Sequence, residues 1–234
     1  CAVGQSGASV RVMTSPDGIT WTTRTSAADL TWHSVCWAAG IGLFVAVAAS
    51  GVSNGIMTSP DGTTWTSRTP AVSSKVWRSV CWSPQLKLLV ATNSDAATAD
   101  QIMTSPDGGT WTTRTGAVAA QCWGVVWAPA LRLFVGVYRN SATAIQTSPD
   151  GITWTARNTT NKDWISISWS STLGVLVACN NNKSVTATDP NIMYSRDGIN
   201  WYDLVLTGTT NNFHFGLCWA GKLGVFAMVS YQTS

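Results

Sequence analysis

The sequence predicts an all-β fold: a single five-bladed β-propeller over residues 1–234, four antiparallel strands per blade, closed by strands from both termini. Three observations predict it. The stretch Thr14-Ser15-Pro16-Asp17-Gly18-Ile19-Thr20-Trp21 returns at 58–65, 104–111, 147–154 and 194–201. Five copies of one turn mark an internal repeat, which decides the architecture before any other reading. Two columns of tryptophan recur in step with it. The acids, finally, are all aspartate; with Glu absent and Lys scarce, the charged residues that best support helices are missing, while abundant Thr, Ser, Val and Trp suit strands.

The turn has its own physical logic. Pro sets φ for the second turn position, Asp bonds backbone further on, and Gly accepts the left-handed conformation that closes a hairpin. The structural turn residues are therefore Asp17, Asp61, Asp107, Asp150 and Asp197 with Gly18, Gly62, Gly108, Gly151 and Gly198. The fifth copy, Ser195-Arg196-Asp197-Gly198, loses Pro and keeps the two residues the geometry needs most. Flanking residues alternate with period two, so the turn joins two strands.

Aligned on tryptophan, each unit contains four strands. Strand a ends on Trp37, Trp82, Trp127, Trp169 or Trp219. Strand b is the apolar run at 43–47, 88–92, 133–137, 175–179 and 225–229. Strand c precedes the turn, around Met13, Met57, Met103, Gln146 and Met193, and strand d follows it, around the turn Trp. A unit of about 45 residues with four strands is the size of a propeller blade. The expected blades are 11–25 plus 213–230, then 32–69, 77–115, 122–158 and 164–206. Strands c and d of the first blade are N-terminal, so its strands a and b are expected from the C-terminus. One stretch fits this poorly, because Cys1-Ala2-Val3 also aligns with strand b.

Spacing separates the two ends of the strands. The a–b step is eight residues in every copy, and so is the c–d step. The b–c step is ten, eleven, nine and fourteen residues, and the d–a step varies too. One end is uniform and the other carries the length variation, so binding is expected at the b–c/d–a end, where loops vary on a rigid scaffold.

The Ser-x-Asp-Gly-x-Thr-Trp turn resembles the Asp-box (BNR) repeat of sialidase-like propellers, although that repeat usually has one more residue between Asp and Gly. The Trp-x-Ser-Val-Cys-Trp pattern, with the apolar run after it, is similar to propeller repeats of phage virion and environmental bacterial proteins. In architecture alone the chain is also similar to five-bladed, tachylectin-like lectins. The resemblance covers nearly the whole chain. It implies a propeller and a secreted or virion-associated setting, and it implies that the Asp turns are structural rather than catalytic.

Composition narrows the partners. Net charge is +3 with no basic run, which gives no footing for nucleic acid. No apolar run reaches the roughly 18 residues of a membrane helix. The chain begins at Cys1 with no signal-like segment, so a trimmed or processed start is expected.

The chemistry points away from an enzyme. A sialidase-like site needs a Tyr activated by Glu, and Glu is absent. A paired-carboxylate glycosidase would have to use Asp29, Asp95, Asp100, Asp163, Asp189 or Asp203, nearly all in expected loops. His33 and His214 read as isolated histidines near loop starts, with no metal partners at recognisable spacing. Cys36, Cys81, Cys218, Cys122 and Cys179 read as buried reduced thiols, so no metal and no cofactor is expected. The Arg column, Arg24, Arg68, Arg114 and Arg157, reads as a charged outer edge that resists aggregation rather than as an anion site.

The aromatic column opening strand a, Trp32, Trp77 and Trp164, has two readings. It is inter-blade packing, or it is a platform for sugar rings. On the second reading, Asp29, Lys75, Asn161, Lys162 and Asp163 supply polar loop contacts. The expected function is therefore non-enzymatic binding, of a glycan on that face, with a structural virion or surface component that contacts protein subunits as the alternative.

Overall fold

A computed structural model describes residues 1–234 except 6–8, 50–52, 96–99, 140, 142, 160–161, 182–190, 206–211 and 233–234. The described residues form twenty-one strands in six antiparallel sheets. Strands β1 (Ala2–Val3), β2 (Val12–Thr14) and β3 (Thr22–Arg24) make the first sheet. Four complete blades follow. They are β4 (Trp32–Ala38), β5 (Leu43–Ala48), β6 (Ile56–Ser59) and β7 (Thr66–Arg68); β8 (Trp77–Ser83), β9 (Leu88–Asn93), β10 (Ile102–Ser105) and β11 (Thr112–Arg114); β12 (Gln121–Ala128), β13 (Leu133–Arg139), β14 (Ile145–Ser148) and β15 (Thr155–Arg157); and β16 (Trp164–Ser170), β17 (Val175–Asn180), β18 (Ile192–Ser195) and β19 (Tyr202–Leu204). The last sheet is the pair β20 (Asn212–Ala220) and β21 (Val225–Gln232).

The chain divides into two compact units, Cys1–Thr115 and Gly116–Ser234. One expectation is corrected. The first blade is not assembled from both termini. Strand β2 takes its b-strand neighbour from β1, with Ala2 opposite Met13 and Val3 opposite Val12. The same register joins β5 to β6, Ala46 opposite Met57 and Val47 opposite Ile56. The stub that fitted poorly is thus the missing strand b, and β20–β21 remains a half blade. Its side chains record this. The b-strand valines Val45, Val47, Val90, Val135 and Val137 are fully buried, whereas Val225 and Val229 are 48% and 64% exposed.

The repeated turn is held the same way five times. In the copy at Asp107, the Ser105 hydroxyl donates to Oδ1 at 2.9 Å, and the Gly109 and Thr110 amides donate to the same oxygen at 2.8 Å each. The Gly108 amide donates back to Ser105 Oγ at 2.8 Å, and Trp111 Nε1 donates to the Gly108 carbonyl at 3.1 Å. Gly108 sits at φ +73°, and a Cβ there would meet Val45 at 3.4 Å and Thr58 at 3.5 Å. Glycine is needed for its conformation and for close packing on the preceding blade. Asp107→Ala removes an acceptor serving three donors. We expect a loss of about 1 kcal/mol, read as a lower thermal midpoint; an unchanged midpoint would show that the turn holds without its carboxylate.

The arginine column bonds within its blade. Arg24, Arg68, Arg114 and Arg157 each donate from Nε to a threonine hydroxyl on the neighbouring strand, at 3.0–3.1 Å. In unit one the core gathers Val45, Val47, Ile56, Trp77, Leu89 and Met103. In unit two it gathers Val135, Val137, Ile145, Trp164, Leu176 and Met193.

Candidate functional site

The tryptophan platform is not there. Trp32, Trp77 and Trp164 are fully buried, so no ring face is open to a sugar. Strand a begins inside the blade stack, and its first side chain points into the core. Trp32 Nε1 donates to the Ala28 carbonyl at 3.1 Å.

The polar residues expected beside that platform are engaged locally. Asp29 pairs with Arg11 at 2.7 Å, Lys75 lies 4.0 Å from Asp95, and Asp163 pairs with Arg139 at 3.2 Å. The Lys162 carbonyl accepts the Trp164 amide at 3.1 Å. Asn161 and Asp189 lie outside the described residues.

One position later the picture changes. Every strand a carries a bulge at the same place. Register jumps between Trp32 and Ser34, Trp77 and Ser79, Cys122 and Gly124, Trp164 and Ser166, and His214 and Gly216. The extra residues are His33, Arg78, Trp123, Ile165 and Phe215. A bulge frees its residue from the ladder and re-aims the side chain, and bulges recur beside functional sites. The next position is small in every copy, Ser34, Ser79, Gly124, Ser166 and Gly216. Ser34 Oγ accepts the Val80 amide at 3.3 Å, and Ser166 Oγ accepts the Leu217 amide at 3.1 Å, tying adjacent a strands together. Gly124 has no room to spare, since a Cβ would lie 3.0 Å from Val137 and 3.3 Å from the Ile165 carbonyl.

In unit one the bulge residues meet. Arg78 Nη1 donates to His33 Nε2 at 2.7 Å, and Arg78 Nε donates to Ser94 Oγ at 3.0 Å. A guanidinium only donates, so His33 Nε2 is the acceptor and the ring is neutral. Burial, then the Arg78 charge, lowers His33 to about 4. His33 is therefore not the isolated histidine expected, since it accepts from Arg78. In unit two, Arg139 lies over the Trp123 ring at 4.8 Å while it pairs with Asp163. Phe215 is 47% exposed, and Ile165 is buried.

The thiol expectation holds only in part. All six cysteines are free. Cys122 and Cys179 are buried, Cys36 and Cys81 are half-buried, and Cys218 is exposed because its half blade is uncovered. Burial pushes Cys36 and Cys179 up to about 12, so these are inert thiols. Among the described residues no group of three or more His, Cys, Asp or Glu is placed to hold a metal ion. No helix is long and apolar enough to cross a membrane.

The bulge column was visible as the single changing letter in Trp-x-Ser. Only the register of strand a with strand b shows that this letter is a bulge.

No family model matches the chain, and no curated protein matches it. Solved structures do match in fold. A structure described as YCF48 bound to D1 peptide is 15% identical, with a TM-score of 0.62, over 98% of this chain and 66% of that one. A nidogen/laminin complex is 14% identical, with a TM-score of 0.65, over 94% and 81%. Virginiamycin B lyase from Staphylococcus aureus is 11% identical, with a TM-score of 0.73, over 97% and 78%. The chain thus spans just under two thirds of the first of these and about four fifths of the others. At such identities the likeness shows the β-propeller fold and nothing about activity; one of the three is described as an enzyme.

Proposed function

We propose that this propeller is a non-enzymatic binding module whose partner is a protein or peptide, gripped by side chains at the strand-a bulges. One observation carries the reading. The bulge position repeats in backbone geometry in every strand a but changes in chemistry, to His33 and Arg78 in unit one and to Trp123, the buried Ile165 and the exposed Phe215 in unit two. The position after it stays small, as Ser34, Ser79 and Ser166 or Gly124 and Gly216. Recognition requires a different group at each place.

The groups suit a polypeptide. Arg78 offers a charge to an acidic side chain or a C-terminal carboxylate, which guanidinium matches in geometry. Trp123 and Phe215 offer aromatic surface, and Trp and Arg are the residue types that dominate interface energetics. Two of the similar structures are described as complexes, one with a peptide and one with a protein. A role as a structural component that contacts protein subunits calls on the same class of partner.

The test is selection of a random peptide library on the immobilised protein. Peptides bearing a carboxylate, and peptides bearing an aromatic or aliphatic residue, are expected to enrich. Arg78→Ala should weaken the peptides selected through a carboxylate, and Trp123→Ala those selected through an aromatic or aliphatic residue, tenfold or more, about 1.4 kcal/mol, with circular dichroism unchanged. A library that yields nothing, or peptides indifferent to both substitutions, refutes the reading.

A further inference from the structure

The outer strands of unit two hold a second, unrelated departure from the repeat. In four copies the residues flanking the turn Trp are both threonine: Thr20 and Thr22, Thr64 and Thr66, Thr110 and Thr112, Thr153 and Thr155. In the fifth copy they are Asn200 and Tyr202. The cross-strand partner changes with them. Thr14 faces Thr22, Thr58 faces Thr66, Thr104 faces Thr112 and Thr147 faces Thr155, but Tyr194 faces Tyr202. The two phenol rings lie 5.5 Å apart. Leu204 replaces the arginine of this column.

Packing does not call for these changes. Four Thr–Thr pairs serve the same place in the other copies, and Tyr202 remains 56% exposed. Of the changed residues, Asn200 and Tyr202 line a groove, and Tyr194 backs the Tyr202 ring. It has a volume of about 450 Å³ and is lined by Arg157, Asn158, Ile199, Asn200, Trp201 and Tyr202. That volume lies within the roughly 300–1,000 Å³ of small-ligand clefts. Its polar groups are fixed and available. Arg157 is held through Nε by Thr147 Oγ1 at 3.0 Å, and its Nη1 and Nη2 have no partner among the described residues. Asn200 Nδ2 donates to Asp197 Oδ2 at 2.7 Å, which leaves Oδ1 to accept. Trp201 is pinned through Nε1 to the Gly198 carbonyl at 3.3 Å.

We propose that this groove binds a hexuronate-containing oligosaccharide. Aromatic faces take the apolar face of a pyranose and keep a polar tip for water or ligand. The carboxamides of Asn158 and Asn200 both donate and accept, as sugar hydroxyls require. The fork of Arg157 matches a carboxylate in bidentate geometry. A single cation is too few for a polyphosphate, and a lining this polar is wrong for a lipid. The site rests on neither His33 nor Arg78, so it stands or falls apart from peptide binding.

The experiment titrates trigalacturonate, and separately neutral galactotriose, into the whole chain by calorimetry and amide NMR. Trigalacturonate should bind saturably, shift the Trp201 indole signal, and bind at least tenfold more tightly than galactotriose. The paired change Tyr194→Thr with Tyr202→Thr restores residues that four copies already use, so it should fold while losing detectable binding. Asn158→Ala should weaken binding tenfold with an unchanged thermal midpoint. No saturable binding, binding unaltered by the paired change, or equal affinity for galactotriose would each overturn the assignment.

Discussion

Trp77→Ala is expected to lower stability by about 3–5 kcal/mol, the cost of removing a large buried aromatic and leaving a cavity. A domain holds about 5–15 kcal/mol in total, so the substitution should remove a large fraction of the stability and lower the thermal midpoint sharply. The environment explains the size of the effect. Trp77 is fully buried among Val45, Val80, Ala91 and Met103, and a close-packed interior relaxes only partly around a void. A sharper comparison uses phenylalanine. Trp32 Nε1 has an acceptor in the Ala28 carbonyl, whereas Trp77 Nε1 is buried with no partner among the described residues. Trp32→Phe deletes a hydrogen bond and Trp77→Phe deletes an unsatisfied donor. Trp32→Phe should therefore cost more, by about 1 kcal/mol. Denaturant midpoints for the two variants decide it. The reverse order would mean that Trp77 finds a partner in solution.

That contrast also marks what the residues disclose by themselves. The Asp turn is legible because all its bonds run within seven residues, from Ser105 to Trp111 in the Asp107 copy, so local chemistry suffices. The constant a–b and c–d spacings are legible because tight turns tolerate no insertion. Trp32, Trp77 and Trp164 were ambiguous because an aromatic at the first position of a strand suits a rim or a core, and only neighbouring blades decide between them. The Cys1-Ala2-Val3 stub competed with 225–229 for one slot beside β2, and sequence pattern cannot rank two equally apolar strands. The bulge at His33 and its equivalents was hidden for a different reason. A bulge is a relation between two strands, and Trp32-His33-Ser34 reads as uninterrupted alternation until Ser34 is seen opposite Val47 while Trp32 is opposite Ala48. The Tyr194–Tyr202 pair was legible as a broken repeat, but its meaning needed the groove beside it.

Acid is expected to destabilise the fold in two separable steps. The first belongs to histidine. The folded value of His33, about 4, lies below the ordinary 6.5. Between those values the unfolded chain takes up a proton that the folded chain refuses, so stability falls as pH drops from 6.5 to 4. Protonation would also place an imidazolium against the Arg78 guanidinium at 2.7 Å. His214, lowered by burial, acts in the same direction. The second step belongs to the turns. The Thr20 amide, then the Ile19 amide and the Ser15 hydroxyl, hold Asp17 down from 3.8 to about 2. At Asp197 burial opposes the shift, but the Asn200 and Ile199 amides and the Asn200 and Ser195 side chains outweigh it, again to about 2. Asp61, Asp107 and Asp150 are lowered in the same direction. A depressed carboxylate stabilises above its unfolded value and loses that contribution as pH falls through its folded value, so this step spans about pH 4 to 2. Thermal midpoints measured from pH 7 to 2 should show both. His33→Gln should flatten most of the upper step and leave the lower one intact, because the five turns do not involve that residue. A midpoint that stays level between pH 4 and 2 would mean that the turn carboxylates do not hold their amides in solution.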